Sequence, residues 1–398
     1  MHLLAENTIV KPNNISERRG APYDADRSFA INFGTARQAL RVIEVSLDDP
    51  RLISLVASHP SSTVYQHPAW LRTLRAEYDR QTVILACENQ NGCLEGIFPL
   101  VCTRGISLPV GGALTRSRLS SLPRTPIAGP LGSNREALQL LLYAAMDRVS
   151  YQPGIHLQVK TEGPILDGLI EGFSGLPWRS SFVVVLPEDP TQLRIKNDAT
   201  RRNIKIAKRL GLQVRMANSE EDVNKWYKLY LQNMRRVIVP PRSLRFFQSM
   251  WKHMAPLGLM KMMLVERHIG GTNELIAGLI FLMHGKRLFY AFAACPAEHF
   301  SLRPNDLLHW EGMQWAAQNG FREYDLGEVS DGHVNLARFK SKWGAEQRLL
   351  YRYYVPQIPR KSADSSVFRL QQKLIGRVWQ HLPLSATAYL GDLIFSYL

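Results

Sequence analysis

The sequence predicts an α/β protein of α+β character, with mixed, largely antiparallel sheets in two related domains. Three observations point there. Helical and strand periodicities alternate along the 398 residues, so helices must pack on sheets. Each half runs helices first, then a meander of strands, then a helix and further strands. Pro187-Glu188-Asp189-Pro190 punctuates the middle and marks a boundary. The reading is a loose arm at 1–38, a first domain at 39–186, a second at 187–356 and an amphipathic helical tail at 357–398.

Taken in order, residues 1–38 are polar, mixed in charge and without periodicity, as a disordered arm would be. "RVIEVS" is strand-like. "PRLISLVASH" and "PAWLRTLRAEY" have helical spacing, with Pro68 suited to a first turn. "TVILACEN" and "EGIFPLVCTR" are strands joined by "QNGC", whose Asn-Gly pair signals a hairpin. Gly105 to Ser133 is rich in Gly, Pro, Ser and Arg. It is too long for an idle connection and is a candidate substrate loop. Asn134 caps a helix at "NREALQLLLYAAMDRV", and "IHLQVK" and "SFVVVLP" are strands.

In the second domain a basic helix spans about Gln192 to Leu210 and stops at Gly211. The strand "LQVRMA" and the helices "EEDVNKWYKLYLQNMRR" and "SLRFFQSMWKHM" follow. "LMKMMLVERH", "ELIAGLIFLMHG" and "KRLFYAFAAC" read as consecutive antiparallel strands. A helix capped at Asn305 and stopped at Gly320, a short strand "EYDL" and a last strand "RLLYRYYV" complete the domain. In the tail, Val367, Leu370, Leu374, Val378 and Leu382 recur at helical spacing, with a break at Pro383. Such a tail either docks on the second domain or makes peripheral contact with an anionic membrane.

Lys plus Arg number 49 against 34 Asp plus Glu, a net charge of +15. That surplus favours anionic partners: nucleic acid, phosphorylated substrates or an anionic membrane face. Cys87, Cys93, Cys102 and Cys295 form no CxxC pair and have no histidine-rich companion segment. They read as reduced thiols of a cytoplasmic protein, and no metal site is expected. The N-terminus shows no secretory pattern and no run of 18 apolar residues occurs, so neither a leader nor a membrane span is expected. Motifs of the GxSxG, Walker and dinucleotide-binding kinds are absent.

The densest charge is "RIKNDATRRNIKIAKR", with seven basic residues against Asp198. Arg201, Lys205 and Lys208 share a helix face. A solvated amphipathic face explains such a run as well as a phosphate-binding surface does. "MRR" at 234–236 with Arg242 and Arg245 adds further cations. The second feature is Phe339-Lys340-Ser341-Lys342-Trp343-Gly344, two lysines between aromatics, following "YDLG" at 324–327.

The meander, the helix, "YDLG" and "FKSKWGA", together with "RRNIKIAKRLG" and the Tyr230/Met234/Arg235/Arg236/Pro240 pattern, resemble the FemAB family, a branch of the GNAT acyltransferase superfamily. The likeness runs through 190–355 and, more loosely, through 40–186 by way of "YQHPAWL" and "SLPRTPIAGPL". It implies two GNAT-like domains in tandem. It implies transfer of an acyl or aminoacyl group to an amine of a cell-envelope or exopolysaccharide precursor, small or lipid-linked, at the inner face of the membrane. The donor would be aminoacyl-tRNA or acyl-CoA, with no tightly bound cofactor, and DNA is not an expected partner. An acyl-CoA-dependent N-acetyltransferase and a catalytically silent scaffold binding anionic lipid or RNA are the alternatives.

The resemblance singles out Lys340, which would stabilise negative charge developing on the reacting carbonyl from a pocket that Phe339 and Trp343 keep dry. Lys342, two residues on in a segment read as extended, would face the other way. Asp325 and Tyr290, with Glu328, Asp331 and His333, are candidates to take the proton from the attacking amine. Arg201, Arg202, Lys205, Arg235 and Arg236 would bind anionic parts of donor or acceptor. The turn Phe300 to Asp306, where GNAT enzymes place a glycine-rich pyrophosphate cradle, has no glycine and holds Pro304 and Asp306. That argues against ordinary acetyl-CoA binding there. Val237-Ile238, where relatives often carry glycine, and Glu328 depart from the family pattern.

Overall fold

One mixed sheet of thirteen strands runs through both halves of the chain in the computed structural model, which describes residues 40–103, 106–107, 113–115, 117–150, 154–356 and 378–397. The expected arm and most of the first tail helix lie outside the described residues.

In the first half, β1 (Arg41–Glu44) is followed by α1 (Pro50–Ser58) and α2 (Pro68–Tyr78). Both helices begin at proline, whose missing N–H would have had no intrahelical partner anyway; Asp49 caps the first and His67 the second. β2 (Thr82–Glu88) and β3 (Leu94–Thr103) form the expected hairpin. The candidate loop contains a two-stranded ladder, β4 (Ile106–Ser107) with β5 (Ala113–Thr115), then β6 (Arg118–Ser120) and β7 (Leu131–Gly132), both antiparallel to β3. α3 (Arg135–Ser150) starts where Ala137 N donates to Asn134 Oδ1 at 2.9 Å. It crosses to β8 (His156–Glu162), parallel to β6, and β9 (Leu176–Val185) follows.

In the second half, α4 (Asp198–Arg209) begins six residues later than the sequence reading placed it. The side chain of Asn197 accepts from Thr200 N at 2.9 Å and fixes the start there. β10 (Leu212–Met216), α5 (Glu220–Arg236) and α6 (Leu244–Met254) lead into the antiparallel meander β11 (Met260–Ile269), β12 (Thr272–His284) and β13 (Arg287–Ala294). α7 (Pro304–Gln318) is entered through Arg303 at φ +62°, so Asn305 lies inside the first turn and is not its cap. β14 (Glu323–Val329) runs parallel to β13, and β15 (Glu346–Val355) is the last strand. Between them, 334–341 is helical, α8 (Val334–Ser341), where an extended segment was expected.

Alternation along the strands serves two helical layers. Met262, Leu264, Ile280 and Leu282 face α5 and α6 in one core, which also takes Trp70 of α2 and Ile84 and Ala86 of β2. Met263, Val265, Leu279 and Phe281 face α4 and α7, and Val83, Leu85 and Cys87 face α3. The two halves also exchange strands. β9 pairs with β14, and β15 lies between β8 and β9. α9 (Leu384–Tyr397) docks where the end of α2 meets α5 and the connection that follows it. Tyr78 donates to Asp392 at 2.8 Å, and a Cβ on Gly391 would stand 2.5 Å from Pro241 O.

Candidate active site

Among the described residues each half contains one parallel pair, and each pair holds together only briefly. β6 and β8 pair from Arg118–Ser120 to His156–Gln158, and β13 and β14 from Arg287–Phe289 to Glu323–Asp325. Beyond those registers the strands diverge. The residues that follow, Pro123–Thr125 and Lys160 in one opening and Tyr290–Ala293 and Glu328 in the other, line one cleft of about 570 Å³. Trp178 of β9, Arg352 of β15, Phe395 of α9 and Arg242, from the connection between α5 and α6, also line it.

Six cations among the described residues line the cleft: Arg118, Arg124, Lys160, Arg179, Arg242 and Arg352. Glu328 is the single carboxylate among the described lining residues. Aromatic faces hold several of the cations. The Arg352 guanidinium lies 3.1 Å and that of Arg179 4.3 Å from the Trp178 ring centroid. Arg124 stands 4.0 Å over Phe395, and Arg242 5.4 Å from it. Arg179 pairs with Glu328. Arg242 donates to the buried Glu77 at 2.9 Å. The Nε atoms of Arg179 and Arg352 are buried and have no hydrogen-bond partner among the described residues. Burial, with Arg242 next in weight, lowers Arg124 to about 10. Burial also holds Lys160 well below the usual lysine range, and Arg352 adds to the effect. An excess of desolvated cations is an electrostatic request for an anion.

The sequence-predicted residues fall into three places. Lys340, Asp325, Tyr290, Phe339 and Trp343 gather around β13 and β14. Lys340 is 4% exposed, and its Nζ donates to Gly327 O at 2.8 Å and Glu328 O at 3.1 Å. Burial lowers its pKa to about 8, against the pull of Asp325 and Glu328. Its ammonium thus sits behind the β14 wall whose Glu328 side chain faces the cleft. Asp325 is buried and held by three donors: Ser181 Oγ at 2.6 Å, Gly327 N at 2.7 Å and Arg287 at 2.9 Å. Tyr290 lines the cleft, and burial raises its pKa. Its ring lies 4.9 Å from His309, which also packs against Phe339 at 5.6 Å and Trp343 at 5.7 Å. His309 is buried within this aromatic cluster. It shares a 3.0 Å hydrogen bond with Tyr324, and burial, then Lys342 and Lys340, lowers its pKa to about 3. Lys342 points the other way and pairs with Asp306.

Arg201, Arg202 and Lys205 are exposed on the outer face of α4, whose Ile204 and Ala207 are buried beneath, and none of them lines the cleft. Arg235 and Arg236 end α5 beside the cleft mouth. Arg235 donates to Leu382 O at 3.1 Å, and Arg236 to Asn233 at 2.8 Å. Of the remaining lining cations, Arg118 and Arg124 lie in the predicted substrate loop. Lys160, Arg179 and Arg352 come from strands that carry no motif. At the entry to α7, Asp306 accepts from Asn203 at 2.7 Å and from Lys342, so a carboxylate already held by two partners stands in the first turn of this helix. Among the described residues no group of three potential metal ligands occurs, and no helix is long and apolar enough to cross a membrane.

Comparison with known proteins bears on this geometry. Residues 195–341 match the acetyltransferase (GNAT) domain family. The chain is 25% identical over 143 residues to the UDP-N-acetylmuramoylpentapeptide-lysine N(6)-alanyltransferase of Weissella viridescens, covering 36% of this chain and 41% of that protein. It is 28% identical over 75 residues to the lipid II:glycine glycyltransferase of Staphylococcus saprophyticus, covering 17% and 18% of the two. The matches thus span less than half the length of either curated relative. The crystal structure of FemX superposes with a TM-score of 0.62 at 15% identity, over 83% of this chain and 99% of that one.

Proposed function

We propose that this chain, a FemAB-like protein with tandem GNAT-like lobes, transfers an aminoacyl group to the amine of a phosphorylated cell-envelope precursor. The supporting observation is the inter-lobe cleft, where six cations face one carboxylate. A pyrophosphate-bearing acceptor, nucleotide- or lipid-linked, satisfies that charge. Its amine then lies beside Glu328.

In the reaction the amine nitrogen attacks the carbonyl carbon of the donor ester. The C–N bond forms, the C–O bond breaks with its electron pair leaving on oxygen, and the nitrogen gives up a proton. Glu328 takes that proton, since it lines the cleft whereas Asp325 is buried outside it and held by three donors. Lys340 contributes positive charge through β14 to the cleft, where the carbonyl's negative charge develops, and holds the main chain of Glu328. Tyr290 packs in the same wall. Arg201, Arg202 and Lys205, outside the cleft, carry phosphates of the RNA body. Aminoacyl-tRNA is preferred to acyl-CoA because Asp306 and its partners occupy the helix entry that would cradle a pyrophosphate.

A transfer assay with charged tRNA and acyl-CoA as competing donors, using an amine-bearing precursor, tests this. The expected outcome is product from tRNA, reduced about 10²-fold in Glu328→Gln. Product from acyl-CoA alone would refute the donor assignment, and full activity in Glu328→Gln would refute the base.

A further inference from the structure

The end of α5 breaks a rule of helix termination. Val239 N bonds Met234 O at 3.0 Å and Ile238 N bonds Arg235 O at 3.3 Å, the pattern of a Schellman cap. The left-handed position in such a cap is ordinarily glycine, yet here Ile238 occupies it at φ +57°. A β-branched residue there is strained. Its side chain gains no compensating burial: Val237, Ile238 and Val239 are 40%, 42% and 39% exposed. Two more exposed apolar side chains lie alongside. Arg236 stacks over Phe300 at 5.1 Å, and Gln380, two residues from the 65%-exposed Val378, donates to Arg236 O at 3.1 Å. Arg235 and Arg236 sit within this patch, Arg303 closes the turn that bears Phe300, and Glu298 is the carboxylate on that turn. Val239 and Pro240 also line the cleft, so the patch is continuous with its mouth.

We propose that the 237–239 turn, with Phe300 and Val378, is a docking surface for an anionic lipid bilayer. The turn enters the boundary between headgroups and acyl chains, Arg235 and Arg236 meet the lipid phosphates, and the cleft mouth faces the membrane. Charge complementarity selects this occupant: the chain carries +15, and the apolar patch is set among arginines. The inference draws added sense from a lipid-linked acceptor, but binding itself can be measured without one.

Flotation of the full chain with vesicles containing phosphatidylglycerol, against vesicles of phosphatidylcholine alone, tests it. The wild type is expected to float with the anionic vesicles and to lose binding at high salt. Ile238→Gly removes the side chain while relieving the cap, so its unfolding temperature should hold or rise. Its flotation should fall about tenfold. Transfer to a soluble acceptor should persist in this variant, while transfer to a vesicle-embedded one falls. Equal flotation of Ile238→Gly and wild type, equal binding to both vesicle types, or a dimer that dissolves in Ile238→Gly without any flotation would each overturn the proposal. Flotation without transfer from either donor would leave the membrane surface standing and sink the proposed reaction.

Discussion

The two openings between diverging strands are built alike and differ in what they expose. In the first, Lys160 of β8 donates from Nζ to Leu122 O at 2.8 Å and Thr125 O at 3.2 Å. In the second, Lys340 of α8 donates to Gly327 O at 2.8 Å and Glu328 O at 3.1 Å. Each opening is therefore bridged by one buried ammonium held on two main-chain carbonyls, at the place where ladder hydrogen bonds have run out. The difference lies in the side each lysine takes. Lys160 stands in the cleft wall and fixes the loop that presents Arg124. Lys340 stands behind its wall, and the group it presents is Glu328. One opening supplies cations to the cleft and the other supplies its carboxylate. Under the proposed reaction, the first opening is the binding side of this repeated architecture and the second its reacting side.

The sharpest way to break that division is to remove both bridges separately. Lys340→Ala should lower kcat about 10²-fold and cost roughly 1–3 kcal/mol of stability through the two abandoned carbonyls, with KM for the acceptor little changed. Lys160→Met should show the opposite balance, a raised acceptor KM with the smaller loss of kcat. Steady-state kinetics with denaturant melts decide; identical kcat and KM patterns would erase the distinction. Arg352→Met tests the binding side directly. It should raise acceptor KM about tenfold or more and flatten the salt dependence, while leaving kcat near wild type. A smaller effect is expected outside the cleft. Arg201→Ala with Lys205→Ala should weaken donor-RNA binding several-fold and reduce the slope of log affinity against log salt by about two. The smallest concerns pH. Because Lys340 is lowered to about 8 in the fold and stands near 10.4 in the unfolded chain, the unfolded state binds the extra proton between those values. Stability from this residue should therefore rise with pH across that window, measured by denaturant midpoints, and the rise should shrink in Lys340→Met.

What the sequence disclosed follows the range of the interactions concerned. Helix α2 reads directly because Pro68 sets its start and its apolar spacing is local. The β2–β3 hairpin reads because Asn91-Gly92 fixes the turn. The entry to α7 was misplaced because Arg303 adopts a left-handed backbone that no sequence preference favours. The insertion of β15 between β8 and β9 is a pairing across some two hundred residues, and strand patterns carry no address for a partner. At the site, Lys340 stood out as a cation in an apolar frame. Its partners did not, since main-chain carbonyls have no sequence identity. The densest basic run, on α4, lies outside the cleft, whereas the cleft cations arrive singly from Arg118 to Arg352. Density along the chain measures a helix face; convergence in space is a property of the sheet.

The exchange of β9 and β15 has a consequence for how this protein can be taken apart. A chain cut near Pro187 would leave the leading piece with no strand to fill the gap between β8 and β9, and the trailing piece with β15 torn from both its neighbours. Neither piece would have a closed ladder. The two should regain shape only when made together, so the lobes open and shut against each other far less freely than beads on a tether.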